Sequence, residues 1–199
     1  MSQPVPLVLV HGLWDDPRLF RRLLAWLDDG RGEPLVPHLP HRLGAIGLER
    51  LAERLGEQIE GRYGRRQPID LLGFSMGGVI ARTWLQLGGG QGRVRRLISV
   101  GSPQRGTLVA QPWPRPLLTG IADMKIGSGL LRRLNGDLSG LAGVEALSYW
   151  CLLDSMIIPS WRGVLPVGAA IRLPVRDHRH LITHPAALAP ISQELLRPG

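Results

Sequence analysis

Short apolar runs alternate with amphipathic stretches from one end of the chain to the other. Val5 to Val10 reads Val-Pro-Leu-Val-Leu-Val, and Ile69 to Phe74 reads Ile-Asp-Leu-Leu-Gly-Phe. Comparable runs lie at Arg96 to Val100, Val144 to Leu153 and Ala169 to Val175. Continuous apolar runs closed by Gly or Pro turn signals predict strands buried on both faces. Pro34-Leu35-Val36-Pro37 predicts one more short strand. Between the runs the period changes. Asp16 can cap a helix that Pro17 opens, with Phe20, Leu23, Leu24 and Leu27 on one face. Leu48, Leu51, Ala52, Leu55 and Ile59 recur at helical spacing. Val79, Ile80, Trp84 and Leu87 form another stripe, ended by Gly88-Gly89-Gly90, and a last helix is predicted over about 186–196. Strand and helix patterns that alternate in this way predict an α/β fold with a mostly parallel central sheet and helices on both faces.

A length of 199 residues with 44% hydrophobic positions suits one domain spanning 1–199. Residues 108–143 break the rhythm with Trp113-Pro114-Arg115-Pro116, Gly-rich turns and short apolar pieces. The stretch is too apolar for a disordered linker and predicts a small cap-like insertion at about 103–143.

The candidate chemistry centres on Gly73-Phe74-Ser75-Met76-Gly77-Gly78. An apolar run enters it and a helical pattern leaves it, so Ser75 stands at a sharp strand-to-helix turn. That context identifies G-x-S-x-G as the nucleophile elbow of the α/β-hydrolase fold. A serine hydroxyl is a weak nucleophile and has to be exposed, oriented and served by a base. The Met76 N–H, at the start of the helix, is free to face an oxyanion. A second donor is expected from the loop after an early strand, where His11-Gly12-Leu13-Trp14 stands. The Leu13 N–H is the candidate, with His11 as an orienting residue of that loop.

An acid is expected just past a later strand, and Asp154 follows the run ending at Leu153. A turn-capping aspartate is the competing reading of that position. Asp177 is the rival acid, and His178, His180 and His184 are the candidate bases. Ser75, Asp154 and His178 follow the Ser, Asp, His order of this fold. Spacing alone leaves the choice among the three histidines open. His38 and His41 read as structural or solvent-facing. Trp14, Trp113, Leu117, Leu118, Ile121, Met124 and Met156 are candidates to line a substrate pocket, with His11 beside them, and ordinary packing is the alternative for each.

Charge and cysteine content add little. Lysine and arginine total 24 against 16 acidic residues, a net charge of +8, with Lys125 the single lysine. The arginines are scattered, so a solvated surface is favoured over a partner patch, with peripheral contact to an anionic lipid surface as the alternative. No recognition motif supports nucleic-acid binding. The single cysteine, Cys151, lies in an apolar run and is expected to be buried and inert. Met1-Ser2-Gln3-Pro4 shows no signal-peptide pattern and no apolar stretch is long enough to span a bilayer, so a cytoplasmic location and a monomer are expected.

Five segments together carry a resemblance: Leu9 to Trp14, Gly73 to Gly78, Gly101 to Thr107, Asp154 to Pro159 and His178 to Ile182. The chain resembles small, lidless α/β-hydrolases of the lipase/esterase type, especially cyanobacterial-type triacylglycerol lipase-like proteins. The resemblance favours His178, whose Leu181-Ile182 fits the family's H-x-x-L-[LI], and Asp154, through Asp-x-Met-Ile-x-Pro. It departs at Asp177, where the family has a small residue. It implies a minimal α/β-hydrolase fold and a catalytic set of Ser75, Asp154 and His178. The implied activity is hydrolysis of carboxylic esters of acylglycerols or simpler lipids, without metal or other cofactor. An acyltransferase or thioesterase using the same triad is the enzymatic alternative. A non-catalytic binding protein on the same fold is the alternative of a different class.

Overall fold

The computed structural model describes residues 5–198, so the reading of Met1 to Pro4 lies outside the described residues. Five parallel strands form one sheet in sequence order: β1 (Leu7–Val10), β2 (Ile69–Phe74), β3 (Val94–Val100), β4 (Glu145–Trp150) and β5 (Ala169–Arg172). Parallel neighbours need crossovers. Helices α1 (Arg21–Leu27) and α2 (Leu48–Tyr63) lie between β1 and β2, α3 (Met76–Leu87) between β2 and β3, and α4 (Thr119–Asp123) and α5 (Gly129–Gly136) between β3 and β4. Strand β4 reaches β5 through a 3-10 turn at Ser160–Gly163, and α6 (His180–Thr183) and α7 (Pro185–Leu196) follow β5.

The period-two alternation of the strands divides the interior into two cores. Leu7 and Leu9 of β1 join Leu72 and Phe74 of β2 against Phe20, Leu23 and Leu27, and against Leu188 and Ile191 of α7. Val8, Val10 and Leu71 face the other way, onto Leu51, Leu55 and Ile59 of α2 and Val79 and Ile80 of α3. Both faces of β1, β2 and β3 are therefore covered, which is why they read as unbroken apolar runs; β5, at the sheet edge, has Ala169, Ala170 and Arg172 exposed and so departs from the expected strand buried on both faces.

Two further expectations need correction. Pro34 to Pro37 is not a strand of the sheet. Leu35 alone bridges Val8, through Leu9 N donating to Leu35 O and Leu35 N donating to Leu7 O, both at 2.9 Å. The flanking prolines have no N–H with which to extend the ladder. The helix after Asp16 begins as a 3-10 turn, Pro17–Phe20, capped by the Asp16 carboxylate on Arg18 N at 2.8 Å, and becomes α-helical only at Arg21.

Between β3 and β4 the chain forms α4, α5 and two short 3-10 turns. Polar staples tie this segment to the helices over the sheet. Asp123 Oδ2 accepts from Leu48 N at 3.0 Å and so caps α2, whose own N-cap, Gly47, has no side chain to do so. Burial pushes the Asp123 carboxyl above its ordinary range. Arg82 of α3 is wholly buried and donates to Gln86 Oε1, Leu134 O and Asn135 Oδ1 at 2.6, 2.6 and 3.0 Å. Desolvation lowers its pKa to about 10, which still leaves it charged at neutral pH.

At the far end of the sheet from the elbow, Asp70 of β2 is buried between Arg31 and Arg95. Arg95 grips it with two hydrogen bonds, at 2.7 and 3.0 Å, and Arg31 adds one at 2.8 Å while donating to Val5 O and Leu195 O. Removing one member of a buried ion pair leaves its partner uncompensated. Asp70→Ala is therefore expected to destabilise the fold by about 3–5 kcal/mol, read as a lowered urea midpoint with an unchanged slope.

Candidate active site

Ser75 sits where β2 ends and α3 begins, with φ 54° and ψ −129°. L-residues rarely adopt this region and hold it only where the surroundings over-determine it. Close packing does so here. A Cβ on Gly73 would collide with the backbone of Gly78, and one on Gly77 with Val10 O. A Cβ on Gly12 would lie 2.8 Å from Ser75 Cβ. The two motif glycines thus let helix, strand and neighbouring strand meet, and Gly12 lets the 11–14 loop pass over the serine. Ser75 N donates to Val100 O at 2.9 Å, anchoring the turn to β3, and the side chain stays partly exposed.

The residues from 11 to 14 lie beside it. Among the described residues the Leu13 and Met76 N–H groups make no backbone hydrogen bond, whereas Trp14 N donates to His41 Nε2 at 3.1 Å. Trp14 itself has φ 62°. His11 is buried beneath this loop. Its Nε2 accepts from Leu39 N at 3.1 Å and its Nδ1 donates to Gly12 O at 3.0 Å. Both histidines accept at Nε2, so both are neutral with the proton on Nδ1. Burial pushes each below the ordinary imidazole range, which preserves that state. His11 ties the loop to Leu39 and does not line the pocket. His41 holds it equally, a role the sequence does not signal. His38 stacks at 6.0 Å from His11 and is exposed.

Asp154 follows β4 and is buried. One carboxylate oxygen accepts from Met156 N and Ile157 N, both at 2.9 Å, and the other pairs with His178 Nδ1 at 2.9 Å. One oxygen of Asp154 thus caps its own turn while the other is held by the imidazole. Asp177 takes a different partner: it pairs with His180 Nδ1 at 3.0 Å and accepts from His180 N at 2.9 Å. His184 caps α7 through Ala186 N.

The His178 ring packs on Phe74, the residue before the serine, with centroids 4.8 Å apart. Gly101, with φ 53°, makes room for it, since a Cβ there would lie 3.3 Å from the imidazole and 2.7 Å from Leu181. Among the described residues neither the Ser75 hydroxyl nor His178 Nε2 makes a hydrogen bond, so the Ser–His link is open in this structure. Such links are commonly long until substrate binds.

A narrow pocket of about 40 Å³ opens at Ser75. Leu13, Trp14, Trp113, Ile121, Met124 and Met156 line it, as the sequence suggests. Leu117 does not: it is 70% exposed on the loop beyond Trp113. Leu118 packs instead on the core. Thr107, Val109 and Ala110 also line the pocket and were not foreseen, because the irregular segment that carries them has no periodicity to read. Thr107 is central to the wall. Its hydroxyl donates to Met156 O at 2.8 Å and accepts from Ile158 N at 2.9 Å, fastening the Asp154 loop to the pocket. Cys151 is buried, and desolvation raises its thiol to about 12. Among the described residues no group of three or more His, Cys, Asp or Glu side chains is placed to hold a metal ion, and no helix is long and apolar enough to cross a membrane.

The family model for palmitoyl protein thioesterase matches residues 6–129, a stretch that includes Leu13, Ser75 and Met76 and ends before Asp154 and His178. No curated protein sequence matches the chain. Among solved structures, mature lipase BlEst2 of Bacillus licheniformis is similar with a TM-score of 0.77 and 15% identity, covering 100% of this chain and 94% of its own. Lipase B of Aspergillus fumigatus gives 0.75 at 16% identity, over 98% of this chain and 53% of its own. Phospholipase PlaB of Legionella pneumophila, in complex with thio-NAD, gives 0.69 at 16% identity, over 97% and 58%. At such identities the likeness is one of fold, and that fold is the α/β-hydrolase fold.

The strain at Ser75 makes a prediction that separates conformation from chemistry. Ser75→Gly and Ser75→Ala both lack the hydroxyl, but only glycine accepts a φ of 54° without penalty. The glycine variant is expected to be more stable than the alanine variant by about 1 kcal/mol. Denaturant melts of the two would show it, and equal midpoints would mean that the turn is unstrained.

Proposed function

We propose that this chain, which belongs to the palmitoyl protein thioesterase family, is a serine hydrolase that cleaves acyl esters through an acyl-enzyme on Ser75. The observation that carries the reading is the pairing of Asp154 Oδ2 with His178 Nδ1 at 2.9 Å, on a ring packed against Phe74 at the strained elbow. With its Nδ1 proton committed to Asp154, His178 presents Nε2 as an acceptor. It takes the Ser75 proton as Oγ attacks the acyl carbon. The Leu13 and Met76 N–H groups then face the oxyanion, where losing one such donor typically slows turnover by about 10²–10³. His178 returns the proton to the leaving group as its bond to carbon breaks. Water, deprotonated by the same imidazole, releases the acid and regenerates Ser75. Asp154 holds the tautomer and stabilises the imidazolium throughout.

The substrate is an acyl ester or thioester whose chain enters the apolar pocket. Val109, Ala110, Ile121, Met124, Met156 and Ile157 offer it a wall without a charged side chain. A thioester is the second reading, and the family match favours it. The same residues serve either substrate, because a thiolate leaves more readily than an alkoxide and needs less help from His178.

The test compares an oxygen ester and a thioester of one acyl chain, each with wild type and with Ser75→Ala and Asp154→Asn. Both variants are expected to lose about 10⁴ or more in kcat with their stability largely kept. The ratio of kcat/KM for the two leaving groups assigns the chain as esterase or thioesterase. Undiminished turnover by Ser75→Ala would remove the reading.

A further inference from the structure

We propose that a cationic groove beside Trp14 binds a phosphate carried by the leaving group of the substrate, an inference that rests on the reading of Ser75 as nucleophile. The two sides of Trp14 differ in chemistry. One side belongs to the pocket at Ser75, whose lining holds no charged side chain. The other belongs to a groove of about 560 Å³ lined by Arg18, Arg21, Arg22 and Arg179, with Asp15 and Asp16. Trp14 walls both, is 57% exposed, and directly follows Leu13, the proposed oxyanion donor. The acyl chain fills the apolar side. The part of the substrate beyond the scissile bond leaves past Trp14 toward the arginines.

Four guanidinium groups face two carboxylates there, and the carboxylates are already engaged. Asp16 accepts from Arg18 N at 2.8 Å, and Asp15 pairs with Arg179. Arg22 spends one nitrogen on Thr183 O at 3.1 Å. Among the described residues the Arg18 and Arg21 guanidinium groups have no side-chain or carbonyl partner. Arg50, Arg62, Arg65 and Arg133 each pair with a glutamate, but among the described residues unpaired arginines such as Arg66 and Arg176 also occur on the surface, so the distinguishing feature of Arg18 and Arg21 is their place in one groove with Arg22 and Arg179. Two uncommitted forks in a concave, net positive groove suit the paired oxygens of a phosphate better than any neutral group. The class of ligand is therefore an acyl compound with a phosphate on its alcohol or thiol portion. Two kinds of molecule carry one: a phospholipid headgroup and a phosphopantetheine-type thiol. The chemistry at Ser75 is unchanged. The acyl carbon–oxygen or carbon–sulfur bond breaks, the proton passes from His178 to the departing atom, and the phosphate only holds the leaving group in place.

Two matched substrate pairs test this, each with an octanoyl chain: octanoyl-coenzyme A against octanoyl-pantetheine, and octanoyl glycerol phosphate against octanoyl glycerol. Wild type is compared with the double variant Arg18→Glu/Arg21→Glu, and p-nitrophenyl octanoate serves as a phosphate-free reference. At low salt the phosphate-bearing member of at least one pair is expected to show a KM about tenfold lower than its partner. The double variant should abolish that advantage while leaving p-nitrophenyl octanoate turnover unchanged, and raised salt should shrink it. The pair that responds tells a thiol carrier from a lipid headgroup. Normal p-nitrophenyl octanoate turnover with no phosphate preference in either pair would overturn the groove and leave the hydrolase reading standing. So would a preference that survives in the double variant. If no ester is turned over, the hydrolase reading fails by itself. The groove is then judged by calorimetric binding of coenzyme A and of glycerol phosphate to both proteins: equal binding or none overturns it, and binding to the wild type alone supports it.

Discussion

The close passage of three backbone segments around Ser75 is the constraint on which the rest of the site depends. Strand β2 must hand over to α3 within one residue, and the start of that helix must lie against the end of β1. A Cβ at Gly73 or Gly77 would occupy backbone already there, and one at Gly12 would press on the serine itself. This crowding holds Ser75, the proposed nucleophile, at φ 54°, a backbone conformation that costs of order 1–3 kcal/mol and that the surrounding cores maintain. The proposed oxyanion donors, the Leu13 and Met76 amides, respectively follow Gly12 and adjoin Gly77, two of the glycines that permit this passage. Local strain, glycine placement and the proposed oxyanion donors are thus one feature seen from three sides.

The loops around the elbow are bound to one another by bonds that do double duty. Asp154 folds its own loop with one oxygen and holds His178 with the other. Thr107 fastens the Asp154 loop to the pocket wall. Asp15 and Arg179 join the 11–16 segment to the segment carrying His178. His11 and His41, kept neutral by burial, accept backbone N–H groups that would otherwise point into the interior unpaired. Each proposed catalytic group therefore rests on contacts with a neighbour's loop. The distant polar staples, Asp70 with its two arginines and Arg82 with α5, hold the frame on which those loops are strung.

Local features were legible in the sequence, and long-range choices were not. The elbow could be read because strand, turn and helix are contiguous and each has its own pattern. Strands β1 to β3 and the long helices could be read because burial on both faces leaves a simple periodicity. Pro34 to Pro37 misled because apolar content was weighed above the missing N–H groups of its prolines. Asp177 and His180 form an acid–base pair of their own, and nothing in their spacing says that Asp154 reaches His178 instead; the fold decides by bringing the end of β4 to the 177–180 turn. Gly101 is essential to that meeting, yet as one glycine among 26 it carries no distinguishing mark. The pocket wall was half visible. Trp113 and Ile121 were expected from residue type alone, and the same criterion wrongly admitted Leu117, because an exposed loop leucine and a pocket leucine look alike in sequence.

The central claim is that the elbow activates one serine. The most direct measurement is labelling of the intact protein with a fluorophosphonate, followed by peptide mapping. The account predicts one adduct per chain, located on Ser75, formed at a rate that collapses in His178→Ala. Labelling spread over several surface serines, or an adduct on Ser75 whose rate ignores His178, would contradict it.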